Sequence, residues 1–252
     1  MTDTIPVTLL TGFLGSGKST LLTRILRDPR FSDTAVVVNE FGEVGIDGFL
    51  VEHSREQMVE MTSGCLCCTI RGDIRQTLLR LYDRRERGEV PTFERLVIET
   101  TGLADPAPVI HTLTTDASLS RRFALDGIVT TVDAVNGPAT LGNHAECVKQ
   151  AAVADRIVVT KTDLPQAADK IDALTASLRR LNPGARILDR NAADFDLRGL
   201  FDSALFDPRT KSPDVGRWLN EEAYAAAQED GHGHSHHHGH GHGHDHDHGH
   251  GH

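Results

Sequence analysis

Ile5-Pro6-Val7-Thr8-Leu9-Leu10 runs through Thr11 into Gly12-Phe13-Leu14-Gly15-Ser16-Gly17-Lys18-Ser19, and a helical pattern, Lys18–Arg27, follows at once. A short apolar strand that stops at G-x-x-x-x-G-K-S and opens a helix is the arrangement of a phosphate-binding loop. Gly12, Gly15 and Gly17 let the backbone curl until successive N–H groups face phosphate oxygens. The helix start adds its positive end. In this reading Lys18 reaches the β- and γ-phosphates, and the Ser19 hydroxyl ligates Mg²⁺.

Working outward, Ala35–Val38, Leu96–Ile98, Ile128–Val132 and Ile157–Val159 are further short, Val/Ile-rich, non-alternating runs, the pattern of strands buried on both faces. Asp73–Arg87, Ala107–Thr114, Ala139–Ala151 and Gln166–Arg180 read as the helices between them. The βα rhythm predicts an α/β fold: a P-loop NTPase with a doubly wound, mainly parallel sheet flanked by helices and ligands at the carboxyl ends of the strands. Gln57–Met61 reads as an edge strand in an insertion. Residues 1–212 form the expected nucleotide-binding domain, 213–230 a C-terminal helix, and 231–252 a Gly/His tail too polar to offset its ordering entropy, hence disordered.

Two later segments fit a nucleotide site. Glu99-Thr100-Thr101-Gly102 ends a strand, where a second carboxylate approaches Mg²⁺ or its water and Gly102 senses the γ-phosphate. Thr160-Lys161-Thr162-Asp163 ends another: Asp163 accepts from guanine N1–H and the 2-amino group, which adenine does not offer, while Lys161 lays its stem along the base. Thr160 stands where Asn is usual. The stretch Asn39–Asp47 carries three carboxylates and two glycines, the composition of a loop that closes on Mg²⁺ or places the attacking water; Glu40 and Asp47 are candidates beside Lys18 and Glu99, and a solvated acidic loop is the alternative.

Cys65, Cys67 and Cys68 fall within four positions. Thiolates are soft ligands that favour Zn²⁺ or Cu(I) over Mg²⁺. One short cluster gives an incomplete coordination shell, which suits loading and release; Glu43, His53 or His111 are equally available to complete it. A fixed zinc clip, buried thiols or a redox switch are the other readings. Twelve of the 15 histidines lie between His232 and His252, a flexible multivalent tether for metal ions, unless it is a purification tag.

The bulk numbers are consistent with this. The chain has 252 residues and a net charge of −10 with histidine neutral, which argues against nucleic acid or an anionic membrane as the main partner. No apolar run is long enough to span a bilayer, and no basic-then-apolar leader opens the chain, so a cytoplasmic location with reduced cysteines is expected. Cys147 reads as a small buried hydrophobe.

GFLGSGKST, NEFGEVGIDG, SGCLCC, ETTGLADP and ADRIVVTKTDL occur in this order, and over about residues 5–215 the chain resembles the CobW-like P-loop GTPases. The resemblance implies a GTP-hydrolysing metallochaperone whose CxCC thiols bind Zn²⁺ or Co²⁺ beside the nucleotide and whose GTP turnover is coupled to metal delivery to a client protein. It implies that Gly15–Thr20 hold phosphates, Glu99 serves Mg²⁺, and Thr160, Lys161 and Asp163 hold guanine. The expected mechanism is a two-state switch in which GTP draws Asn39–Asp47 and Glu99–Gly102 inward and the thiols converge on metal. Relatives commonly continue into a smaller C-terminal domain, whereas this chain stops at His252, so client choice is expected to rest on the GTPase surface or another chain. A homo-oligomer is an open option. A cobalt-handling role in cobalamin biosynthesis, a metal store, and a small-molecule kinase are the competing functions.

Overall fold

The computed structural model describes residues 4–39, 56–60, 66–70, 73–201, 206–207 and 211–219, with backbone only at 39, 56–60 and 66–70. Eight strands form one sheet: β1 (Ile5–Gly12), β2 (Thr34–Asn39), β3 (Glu56–Glu60), β4 (Leu66–Ile70), β5 (Arg95–Thr100), β6 (Phe123–Asp133), β7 (Arg156–Thr160) and β8 (Arg186–Asp189). Their order is β3-β4-β2-β5-β1-β6-β7-β8. All neighbours run parallel except β3, which pairs antiparallel with β4 at the edge. Among the described residues the helices that flank the sheet are α1 (Lys18–Arg27), α2 (Ile74–Glu86), α3 (Ala107–Thr115), α4 (Gly137–Asn143), α5 (Ala145–Val153) and α6 (Ile171–Leu181), with a further helical stretch at 213–219.

The central strands are apolar throughout because both faces are covered. Along β2, Ala35 and Val37 join one core with Leu78, Leu81, Phe93 and Ile110, while Val36 and Val38 join another with Leu21, Leu22, Ile25 and Phe201. β5 divides the same way, with Leu96 and Ile98 on one side and Val97 on the other. A third cluster joins β6, β7, α5 and α6 through Val132, Ile157, Val159, Ala151, Leu174 and Leu178. From β1 the chain first builds β2 to β5 on one flank and then β6 to β8 on the other. The loop after β1 therefore sits where the strand order reverses, the position at which doubly wound sheets bind ligands.

The helical stretch 213–219 packs on the same core through Val215, which is 5% exposed. Just before it, Lys211 donates to Ala154 O at 3.0 Å and pairs with Asp155. Tail residues 231–252 lie outside the described residues. Among the described residues no helix is long and apolar enough to cross a membrane.

Four local readings change. The single helix expected over Ala139–Ala151 is two, α4 and α5, parted at His144, whose backbone is extended (φ −131, ψ 114). Gly142-Asn143 just before it are weak helix formers, and the break sets the His144 ring against Phe13 at 4.5 Å between centroids. α6 begins at Ile171 rather than Gln166, because Pro165–Ala167 form a 3₁₀ turn of their own. Strand β8 was not expected, and neither was β4, which places Cys67 and Cys68 on a strand.

Candidate functional site

Gly12, Gly15 and Gly17 all have positive φ, at 137, 69 and 96, so the loop takes a path closed to most side chains. Gly12 is further constrained by contact. A Cβ there would stand 2.5 Å from the carbonyl oxygen of Thr131 and closer still to that residue's hydroxyl. The loop is fastened to β6 by a 2.6 Å hydrogen bond between the Ser16 and Thr131 hydroxyls. Gly12→Ala is therefore expected to cost about 3 kcal/mol of folding stability from overpacking and a strained backbone. Urea denaturation checks this, and a wild-type midpoint would contradict the close approach.

Lys18 opens α1 with its side chain turned back over the loop, donating to Gly12 O at 2.7 Å and Phe13 O at 3.2 Å. Burial lowers its pKa from the ordinary lysine value, and the nearby Glu99 charge works in the opposite direction. Ser19 donates from its hydroxyl to Glu99 Oε1 at 3.2 Å, and Glu99 is 5% exposed. A hydroxyl and a carboxylate side by side at a phosphate loop are hard oxygen donors of the kind Mg²⁺ prefers. Thr20 is exposed in the first turn of α1.

The turn after β5 presses on the loop. A Cβ on Gly102 would meet Leu14 N at 2.5 Å and Leu14 Cα at 2.7 Å, so glycine alone allows this approach. Gln150 of α5, fully buried, donates to Ala104 O at 3.0 Å and toward Gly102 O at 3.4 Å. Its neighbour Lys149 pairs with Asp105 at 2.6 Å and lies 4.9 Å from the centre of the Trp218 ring. The turn is thus held between the phosphate loop and α5, and α5 in turn meets the C-terminal helical stretch.

At the other end of the loop, Thr160 is fully buried and its hydroxyl donates to Ser16 O at 2.7 Å. It props the loop from behind. A Cβ on Gly17 would sit 3.3 Å from the Thr160 methyl. Lys161 adopts a left-handed backbone (φ 59) and its ammonium pairs with Asp133 at 2.5 Å. Burial opposes the charge on Asp133, but donors from Lys161, the Asn136 side chain and two backbone N–H groups outweigh it and hold the carboxyl below the usual range. Asp163 is exposed at the tip of this turn, where it accepts from the Asn191 amide at 2.8 Å.

The thiol strand is level with the carboxylate strand. β4 pairs Cys67 with Val36 and Cys68 with Val37 of β2, and β2 pairs those residues with Val97 and Ile98 of β5. Through Val38, Glu99 is in register with Thr69, one residue beyond Cys68, which leaves the backbones of Cys68 and Glu99 about 10 Å apart. Cys65, Glu40 and Asp47 lie outside the described residues, as do Glu43 and His53. His111 sits on α3. Among the described residues no group of three or more His, Cys, Asp or Glu side chains is arranged to hold a metal ion.

Residues 6–189 match the family description CobW/HypB/UreG, nucleotide-binding domain. The chain belongs to this family. Within it, the chain is 41% identical over 199 residues to a protein named zinc chaperone YjiA from Escherichia coli, a match covering 79% of this chain and 61% of that one. It is 33% identical over 201 residues to a zinc-regulated GTPase metalloprotein activator 1 of Schizosaccharomyces pombe, covering 77% of this chain and 47% of the relative. A zinc-bound crystal structure of the E. coli YjiA GTPase superposes with a TM-score of 0.69 at 39% identity, covering 83% of this chain and 65% of that one. The chain thus spans roughly half to two thirds of the length of the relatives it matches.

Four contributors to this CobW-type site were not singled out in the sequence: Asp133, Thr131, Gln150 and Asn191. Asp133 closes an apolar strand, a visible signal for a residue at the carboxyl edge. Thr131 meets the phosphate loop, Gln150 the turn after β5 and Asn191 the turn after β7 only through the fold.

Proposed function

We propose that this chain is a GTP-hydrolysing zinc metallochaperone, with cobalt as the alternative cargo, that passes metal to a client protein. The observation that carries the reading is the alignment of a phosphate loop, its Ser19–Glu99 pair and the thiol-bearing strand β4 within one sheet register. The relatives named for zinc support it.

In this reading the backbone N–H groups of the loop and the α1 N-terminus hold the phosphates. Lys18 exchanges Gly12 O and Phe13 O for β- and γ-phosphate oxygens, which restores a counter-charge to a buried ammonium. Ser19 and Glu99 would hold Mg²⁺, which would supply charge neutralisation to the phosphates. Gly102, already against Leu14, brings the 101–105 turn within reach of the γ-phosphate. Asp163 reads guanine, Lys161 supports it, and Thr160 fixes the loop between base and phosphates. Glu40 and Asp47 are proposed to place the attacking water, and Cys65, Cys67 and Cys68 to carry the metal.

The sequence from 40 to 65 joins β2 to β4 through β3, so one connection links the end of the strand beside Glu99 to the thiols. On this reading nucleotide and metal affinity are coupled through that connection. Zn²⁺ affinity is expected to be at least tenfold tighter with Mg²⁺ and a non-hydrolysable GTP analogue than with Mg²⁺–GDP, a coupling of about 1.4 kcal/mol. Competition with a metal-binding dye measures it on protein truncated after Asp230, which keeps the tail's imidazoles from masking the thiols. The Cys65/Cys67/Cys68→Ser protein should lose the coupling. Equal affinity in both nucleotide states rejects the chaperone reading.

A further inference from the structure

We propose that Asn191 is a specificity-positioning residue: its side-chain amide fixes the orientation of the Asp163 carboxylate and so sets how strongly the site prefers a base carrying a 2-amino group. The inference rests on the reading of Asp163 as the base-recognising carboxylate.

Asn191 Nδ2 donates to Asp163 Oδ1 at 2.8 Å and to Thr162 Oγ1 at 2.9 Å. The Thr162 hydroxyl donates in turn to Asp189 Oδ1 at 2.6 Å, and that same oxygen accepts the Asn191 backbone N–H at 2.8 Å. Chemistry settles the amide's direction. A carboxylate only accepts, and a threonine hydroxyl whose proton goes to Asp189 must accept as well, so the NH₂ end of Asn191 serves both. Both of its amide hydrogens are committed, and Asp189 anchors its backbone.

The parallel pairing of β7 with β8 brings these residues together. Val159 is in register with Asp189, and Arg190 N extends the ladder to Val159 O at 2.9 Å. Asn191 therefore emerges beside Thr162 and Asp163. Asp163 needs such a brace, because it is exposed on a turn and carries its own rotamer freedom. A carboxylate has about four acceptor sites on its two oxygens. Asn191 takes one on Oδ1, which leaves both oxygens able to accept a parallel pair of donors. Guanine presents that pair as N1–H and the 2-amino group, whereas hypoxanthine presents only N1–H.

The test measures binding and hydrolysis of GTP and ITP by the full chain. For Asn191→Ala, the GTP-over-ITP affinity ratio is expected to fall about tenfold, roughly the worth of one oriented hydrogen bond. KM for GTP should rise while kcat at saturation stays within about twofold, because the phosphates and Lys18 are held elsewhere. Asn191→Asp keeps the size but sets a third carboxylate beside Asp163 and Asp189, and its ratio should fall further. Equal weakening of both nucleotides in both variants, or a preserved ratio, overturns the proposal and reduces Asn191 to a loop staple. A wild-type chain that does not prefer GTP over ITP instead removes the underlying reading of Asp163.

Discussion

Lys18→Met is expected to lower kcat for GTP hydrolysis by about a thousandfold or more while leaving the melting temperature within about 3 °C of wild type. The two halves of this result have one cause. Lys18 is only 8% exposed, and its ammonium is held by two loop carbonyls. Burial has already taken it out of water and lowered its pKa, with Glu99 as the opposing charge. Because the folded-state pKa lies below the ordinary value of 10.5, the charge costs stability at neutral pH, and the cost fades as pH rises through the folded pKa. Methionine keeps an unbranched chain only one atom shorter and removes that cost. On the proposed reading it also removes a fixed positive charge where the γ-phosphate oxygens would gain charge in the transition state, and phosphoryl transfer has little else to draw on. Single-turnover phosphate release and thermal denaturation measure the two sides. Activity within tenfold of wild type shows that Lys18 is not at the reacting phosphate.

The fold could be read from the sequence because its central strands are covered on both faces. Runs such as Val7–Leu10 and Ala35–Val38 have no polar side to hide, and the expected doubly wound sheet is the one observed. The strands that escaped notice lie toward the edges. β8 is partly or wholly exposed at all four positions, so no apolar run marks it. β4 carries two cysteines in five residues and follows Ser63-Gly64, which resembles a turn. The phosphate loop was legible for a different reason: its residues are contiguous, so the backbone conformation is spelled out locally by Gly12, Gly15 and Gly17. The braces around it are not local. Thr131 reaches Ser16 from 115 residues away, and Gln150 reaches Ala104 from 46 away. Thr160 shows the limit most clearly. Its place in the motif suggests contact with guanine, and the fold adds a buried hydroxyl bond to Ser16 O, a use that only the approach of β7 to the loop reveals.

Asp163→Asn is expected to weaken GTP binding by about a hundredfold and to make xanthosine triphosphate the preferred nucleotide. Two hydrogen bonds to a carboxylate are worth about 1.5–3 kcal/mol each, and the substitution removes the charge and turns one acceptor into a donor. Which end of the new amide meets the base is not left to chance. The NH₂ group of Asn191 faces the position of Oδ1, so the amide oxygen of the variant turns toward Asn191 and its own NH₂ group takes the other place. There it opposes the 2-amino group of guanine, donor against donor, but meets the 2-carbonyl of xanthine as a partner. In the proposed site the phosphate loop, Lys18 and the Ser19–Glu99 pair serve the other end of the nucleotide, so kcat with xanthosine triphosphate should approach that of wild type with GTP. Competition binding with both triphosphates decides the matter. If the variant keeps wild-type affinity and preference for GTP, Asp163 does not touch the base, and the carboxylate that selects guanine must be sought elsewhere on the rim of the sheet.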